Sequence, residues 1–167
     1  MMNDQIPTSD IDENDVYLER YGKEYQDALA KRFADEFPDV YPEGFSDSFL
    51  CPPGWIGLLE ETSQKLSEYL KSNPNLRSDI WGIKEKYGEL RFVTSLRVKD
   101  EGFRKIINQA ERESYKICEQ CGRAGILRHG SWWRTLCEPH AGGRLPQVEL
   151  FKGDEELYTW AKNWKGF

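Results

Sequence analysis

Four residues late in the chain, Cys118, Cys121, Cys137 and His140, constrain the fold more than any other feature of the sequence. Two residues separate the members of each pair and fifteen separate the pairs, giving C-x2-C-x15-C-x2-H. A two-residue spacer lets one tight turn aim both of its ligands at a single ion, and thiolate sulfur with imidazole nitrogen is the donor set of tetrahedral zinc. Gly122 directly follows the second cysteine, where freedom in φ helps the turn fold back. ILR and WWRTL flank HGS between the pairs, so a short hairpin is expected to bring two knuckles together in a zinc-ribbon or treble-clef-like arrangement. A disulfide framework would leave His140 unexplained. Four protein ligands also close the coordination sphere, whereas catalytic zinc keeps a position open for water. Structural Zn2+ is therefore the expected cofactor. The H-x-E and P-C-x-x-C pattern of nucleobase deaminases is not met at Glu119 and Glu138.

The rest of the chain is long enough for one principal core, since 167 residues correspond to about one domain. Six Trp, eight Tyr and eight Phe argue against a wholly disordered chain. No apolar run approaches the roughly 20 residues of a membrane-spanning helix, and the acidic start is unlike a secretory signal, so a cytoplasmic protein with no membrane partner is expected. Residues 1–15 read as a disordered acidic tail. An α/β core over 16–117, a zinc-binding module over 118–144 packed on it, and a C-terminal strand and helix over 145–167 complete the expected organisation. The fold class is α+β, with helices packed on a β-hairpin or small antiparallel sheet.

Leu18, Tyr21, Tyr25, Ala28, Leu29, Phe33 and Phe37 recur at helical spacing before Pro38. Trp55, Leu58, Leu59, Thr62, Leu66, Tyr69 and Leu70 mark a second helix ending at Asn73 and Pro74. Residues 80 to 96 change period: Ile83, Leu90, Phe92 and Thr94 alternate with polar positions, and Gly88 suits a turn with positive φ, so a hairpin is expected. Asp100 reads as the cap of a third helix with a stripe of Phe103, Ile106, Ile107, Ala110, Ser114 and Ile117 that runs straight into Cys118. VELF reads as a short strand, and Asp154 as the cap of a last helix carrying Leu157, Trp160, Ala161 and Trp164.

Functional candidates outside the metal motif are fewer. Residues 1 to 50 hold 13 acidic and 4 basic side chains, a balance of −9 within a net −6. Such a chain has no general attraction for phosphate backbones. A protein partner is favoured, its basic patch facing Glu19, Glu24 and Asp27. The competing class is a nucleic-acid-binding module in which Arg128 and Arg134 meet phosphate and Trp132 stacks on a base. If Trp132 and Trp133 lie on a strand, they point to opposite faces. His129 reads as an exposed turn residue and Cys51 as a buried, inert thiol. Phosphate-loop, dinucleotide and nucleophile-elbow motifs do not occur. A nonenzymatic role is preferred, with an enzyme assembled from distant residues such as Glu85, Tyr87 or Glu89 left open.

GWIGLLEE at 54 to 61, IKEKYGELRF at 83 to 92 and CEQCGRAGILRHGSWWRTLCEPHA at 118 to 141 together resemble a family of uncharacterised small bacterial and bacteriophage proteins. The resemblance covers roughly residues 50 to 141. It implies an α/β domain joined to a zinc-binding knuckle pair in a bacterial or phage-infected cytoplasm, and it carries no activity. The expected role is a zinc-stabilised protein-binding module of the inhibitor, immunity or phage accessory type.

Overall fold

A computed structural model describes residues 22–95 and 100–165. The expected acidic tail, Leu18, Glu19 and Tyr21 lie outside the described residues. Helix α1, Lys23–Glu36, ends where Pro38 cannot continue it. Its buried residues are Gln26, Leu29, Ala30 and Phe33, whereas Tyr25 and Ala28, expected on the core stripe, are exposed. Gln26 decides this rotation. Its Nε2 donates to the Cys51 carbonyl at 3.2 Å and its Oε1 accepts the Cys51 N–H at 2.8 Å, so a buried backbone segment finds both partners in one amide.

Helix α2, Ile56–Ser72, follows a short turn over Pro53–Trp55. It buries Leu59, Thr62, Ser63, Leu66, Ser67 and Leu70 along one face, while Leu58 and Tyr69 are half-buried. The two serines are accommodated because Ser63 Oγ donates to the Leu59 carbonyl at 2.7 Å and Ser67 Oγ to Asp39 at 2.7 Å. Asn73 Nδ2 donates to the Tyr69 carbonyl and stops the helix ahead of Pro74.

Strands β1, Ile80–Lys86, and β2, Glu89–Thr94, form an antiparallel hairpin. Tyr87 and Gly88 are its two turn residues, and both have positive φ, 52° and 81°, the requirement of the tight turn whose twist matches paired strands. The register shifts between Ile80 and Gly82, so Trp81 is the extra residue of a β-bulge. The bulge is why Ile80 and Ile83, three apart, both reach the core with Leu90 and Phe92. Phe49 bridges to Ile83 along the outer edge of β1. Helix α3, Glu101–Ser114, is capped by Asp100, which accepts the Phe103 N–H at 2.8 Å. It also covers the free edge of β2: Ser114 Oγ accepts the Leu90 N–H at 2.9 Å and Glu111 the Phe92 N–H at 3.0 Å. Phe103, Ile107 and Ala110 then close one core with α1, α2 and the hairpin around Trp55.

Strands β3, Ile126–Arg128, and β4, Arg134–Leu136, form a second antiparallel hairpin. VELF is not a strand. Residues 145–147 run beside β3 instead, with the His129 N–H donating to Leu145 and the Gln147 N–H to Leu127. The chain then turns through a short helical turn, Glu149–Phe151, which swings Phe151 inward against Tyr115 at 5.0 Å. Helix α4, Glu155–Lys162, begins at Asp154, whose carboxylate accepts the Leu157 N–H at 3.1 Å. Leu157 and Ala161 join Ile126, Leu127 and Phe151 in a second apolar cluster. Asp154 and Glu156 also pair with Arg112 of α3, and Glu156 with Lys116, so α4 is tied back to the third helix.

Candidate metal centre

Past α3 the chain pairs Ile117 with Ala124 in a single antiparallel bridge. Inside that bridge the Cys118 N–H donates to the Arg123 carbonyl at 2.7 Å and the Gly122 N–H to the Cys118 carbonyl at 2.9 Å. Gly122 has φ +77°, a left-handed conformation that costs a residue with a Cβ about 1–2 kcal/mol. The second pair sits on the short helical turn Glu138–His140, where the His140 N–H donates to the Cys137 carbonyl at 3.2 Å. The β3–β4 hairpin joins the two turns and brings them face to face.

All four ligand atoms lie within 4.8 Å of one another. Cys121 Sγ is 3.7 Å from Cys137 Sγ, and His140 Nδ1 is 3.6 Å from Cys118 Sγ and 3.2 Å from Cys137 Sγ. A tetrahedral ion with sulfur at about 2.3 Å and nitrogen at about 2.05 Å gives S–S edges near ~3.8 Å and S–N edges near ~3.6 Å. The sulfurs are too far apart for a disulfide at about 2.05 Å. Burial pushes the Cys137 thiol up to about 12. A coordinated cation reverses that preference, because a ligating thiol is deprotonated outright. The four expected ligands are thus gathered into one cluster that could hold a metal ion.

Two glycines lock this site onto the core. A Cβ at Gly54 would overlap the Cys118 carbonyl oxygen and come within 2.7 Å of the Glu119 carbonyl carbon and the Gly122 nitrogen. Backbone contact replaces it: the Gly54 N–H donates to the Glu119 carbonyl at 2.8 Å, and next to it Trp55 Nε1 donates to the Ile117 carbonyl at 2.8 Å. Gly88, on the other side, would bring a Cβ to 2.5 Å from Leu127 Cδ1 and 3.1 Å from the Arg134 carbonyl carbon. Its carbonyl accepts Thr135 Oγ1 at 2.7 Å.

The residues expected at a partner surface are distributed differently. Arg128 is only 1% exposed: its Nε donates to the Leu136 carbonyl and its Nη1 to the Arg144 carbonyl, each at 3.0 Å, and Nη2 lies 3.3 Å from Glu138. Arg134 is buried against the fully buried Glu119, with Nε donating to Oε1 at 2.5 Å. Burial raises the Glu119 carboxyl and Arg134 pulls it back. Both arginines are therefore interior residues held by carbonyl or carboxylate acceptors, which offset part of the desolvation cost, while Arg128 Nη2 and Glu119 Oε2 are buried without a hydrogen bond among the described residues. Glu119 was not singled out by its spacing, which marks it only as a position inside the first turn.

Trp132 and Trp133 precede β4 and lie in the loop, so strand alternation does not separate them. Trp133 is half-buried beside the second apolar cluster. Trp132 remains 41% exposed and stacks on Tyr87, itself 46% exposed, at 4.3 Å and 24°. Both Glu85 oxygens accept the Trp132 Nε1–H at 3.0 Å, and Glu85 also accepts the Gly88 N–H at 2.7 Å. Glu89 is engaged with Arg91 and Tyr115. Glu24 and Asp27 are exposed on α1, and three of the four carboxylates of this helix are ion-paired: Lys23 with Asp27, Lys31 with Asp35 and Arg32 with Glu36 at helical spacing. His129 is exposed and Cys51 is buried, with its thiol raised by desolvation.

Comparison with protein-family models, curated proteins and solved structures finds no match to this chain. Among the described residues no helix is long and apolar enough to cross a membrane.

Proposed function

We propose that this chain is a nonenzymatic protein-binding module held in shape by structural zinc at Cys118, Cys121, Cys137 and His140, its two turns acting as the knuckles of a ribbon or treble clef. Three thiolates with one imidazole suit zinc, and four protein donors leave no position for water or substrate. Its role is that of an inhibitor, immunity factor or phage accessory protein in a bacterial cytoplasm, in keeping with the resemblance carried by its three motifs.

The observation that supports protein binding is the exposed Tyr87–Trp132 pair. Tyr and Trp dominate binding hot spots, and a ring already held by stacking and by Glu85 loses little freedom on association. The nucleic-acid reading loses its motivation because Arg128 and Arg134 are buried and paired. Affinity capture from the native host with wild-type and Trp132→Ala baits tests the choice. A nuclease-resistant protein retained by the wild type and lost by Trp132→Ala is expected. Capture of DNA or RNA alone, abolished by nuclease, overturns it.

A further inference from the structure

The β1–β2 hairpin carries a feature that the metal centre does not use. Four large aromatics are exposed among the described residues, Tyr25, Trp81, Tyr87 and Trp132, and all but Tyr25 lie on this hairpin or against it. Trp81 is the bulged residue and is 52% exposed. Bulges re-aim side chains, and here the bulge sends a large ring into solvent while its neighbours Ile80 and Ile83 are buried.

Along the same strands Lys84, Lys86 and Arg91 are exposed. Lys84 and Arg91 are direct partners in the ladder, and like charges facing each other across an antiparallel pair are destabilising. Glu89 offsets Arg91 at 2.6 Å. Glu89 is also the ladder partner of Lys86, so this one carboxylate stands among the three cations Lys84, Lys86 and Arg91, and its ion pair is with Arg91. The free protein thus keeps an exposed tryptophan and an excess of positive charge on a hairpin whose other face is filled by the core.

We propose that this outer face, Trp81 with Lys84, Lys86 and Arg91, docks an acidic, extended segment of the partner protein. The proposal rests on the protein-binding reading and names the chemistry of the partner. Residues two apart on a strand are separated by about 6.6 Å, so Lys84 and Lys86 share the period of alternate carboxylates on an extended peptide. Such a segment neutralises the Lys84–Arg91 repulsion and lays an apolar side chain over Trp81. A protein segment is preferred to a nucleic-acid strand because every nucleotide of a strand carries a charge that a chain of net charge −6 repels, whereas a partner protein can confine its carboxylates to the stretch that meets this small basic patch.

The test uses the full zinc-loaded chain, 15N-labelled, with three probes: a decapeptide alternating Glu and Thr with one central Phe, its Lys-for-Glu counterpart, and a short oligothymidine strand. The acidic peptide is expected to shift the Trp81 indole N–H and the amides of Ile80–Lys86 and Glu89–Thr94, with shifts that shrink as salt is raised. Trp81→Ala and Lys84→Glu/Lys86→Glu should each weaken the peptide at least about tenfold while preserving the remaining spectrum. Absence of those shifts at millimolar peptide, shifts mapping elsewhere, or equal or stronger shifts from oligothymidine on the same residues would overturn the proposal. Loss of the captured host protein with Trp132→Ala but its full retention by Trp81→Ala and Lys84→Glu/Lys86→Glu would reject this face while leaving protein binding intact.

Discussion

Adding one methyl group at Gly54 should loosen a metal site more than sixty residues away, whereas the same change at Gly57 should not. At Gly54 the new Cβ meets backbone: the Cys118 carbonyl oxygen, the Glu119 carbonyl carbon and the Gly122 nitrogen. None of these is the end of a flexible side chain, so the first knuckle must shift away from the Pro53–Trp55 turn. Overpacking of this kind costs about 1–3 kcal/mol, and loss of the Gly54–Glu119 hydrogen bond adds about 1 kcal/mol. A total near 3 kcal/mol lowers the melting temperature by about 6–12 °C in a chain of this size. Gly57 lies in the first turn of α2 with nothing within 4 Å of its Cβ position. Gly57→Ala should therefore be neutral or stabilising by up to about 1 kcal/mol, from helix propensity alone. Calorimetric melting of both variants, with chelator-competition rates for metal release, reads the two effects together. Gly54→Ala is expected to melt lower and release metal faster. If it matches wild type in both, the close approach of core and knuckle is wrong.

Metal analysis of protein purified without added metal should show near-equimolar zinc, and Cys121→Ser should lose both metal and local order. Zinc bound there would hold the thiols deprotonated, below their unfolded values, so the stability it confers should be present at neutral pH and lost as pH falls; zinc release on acidification, with protons taken up, checks the sign. Arg134→Met leaves the Glu119 carboxylate buried without the guanidinium it pairs with, which should cost about 3–5 kcal/mol, and the double variant Glu119→Leu/Arg134→Met should recover most of it by denaturant unfolding. Equal stability of the single and double variants would show that the pair is not coupled.

Features governed by near neighbours in the chain were legible in the sequence by itself. The C-x2-C and C-x2-H spacings assemble a ligand cluster because each pair needs only one turn, and Asp100 and Asp154 cap their helices through an N–H three residues ahead. Gly88 marks the hairpin turn for the same reason: its positive φ is a local demand. Tertiary structure decided what depends on a distant partner. Gln26 turns α1 away from its apolar periodicity because the unpaired backbone of Cys51 needs both ends of an amide. Residues 145–147 run beside β3, and VELF, read as a short strand, instead forms a helical turn that carries Phe151 into the second cluster. Arg128 and Arg134 read as surface residues because burying a guanidinium is unfavourable, and they are interior because Glu119, Glu138 and the carbonyls of Leu136 and Arg144 converge on them. Composition and periodicity describe what a side chain prefers alone. Whether a polar group is buried depends on acceptors delivered by other elements, and only the packed chain brings those together.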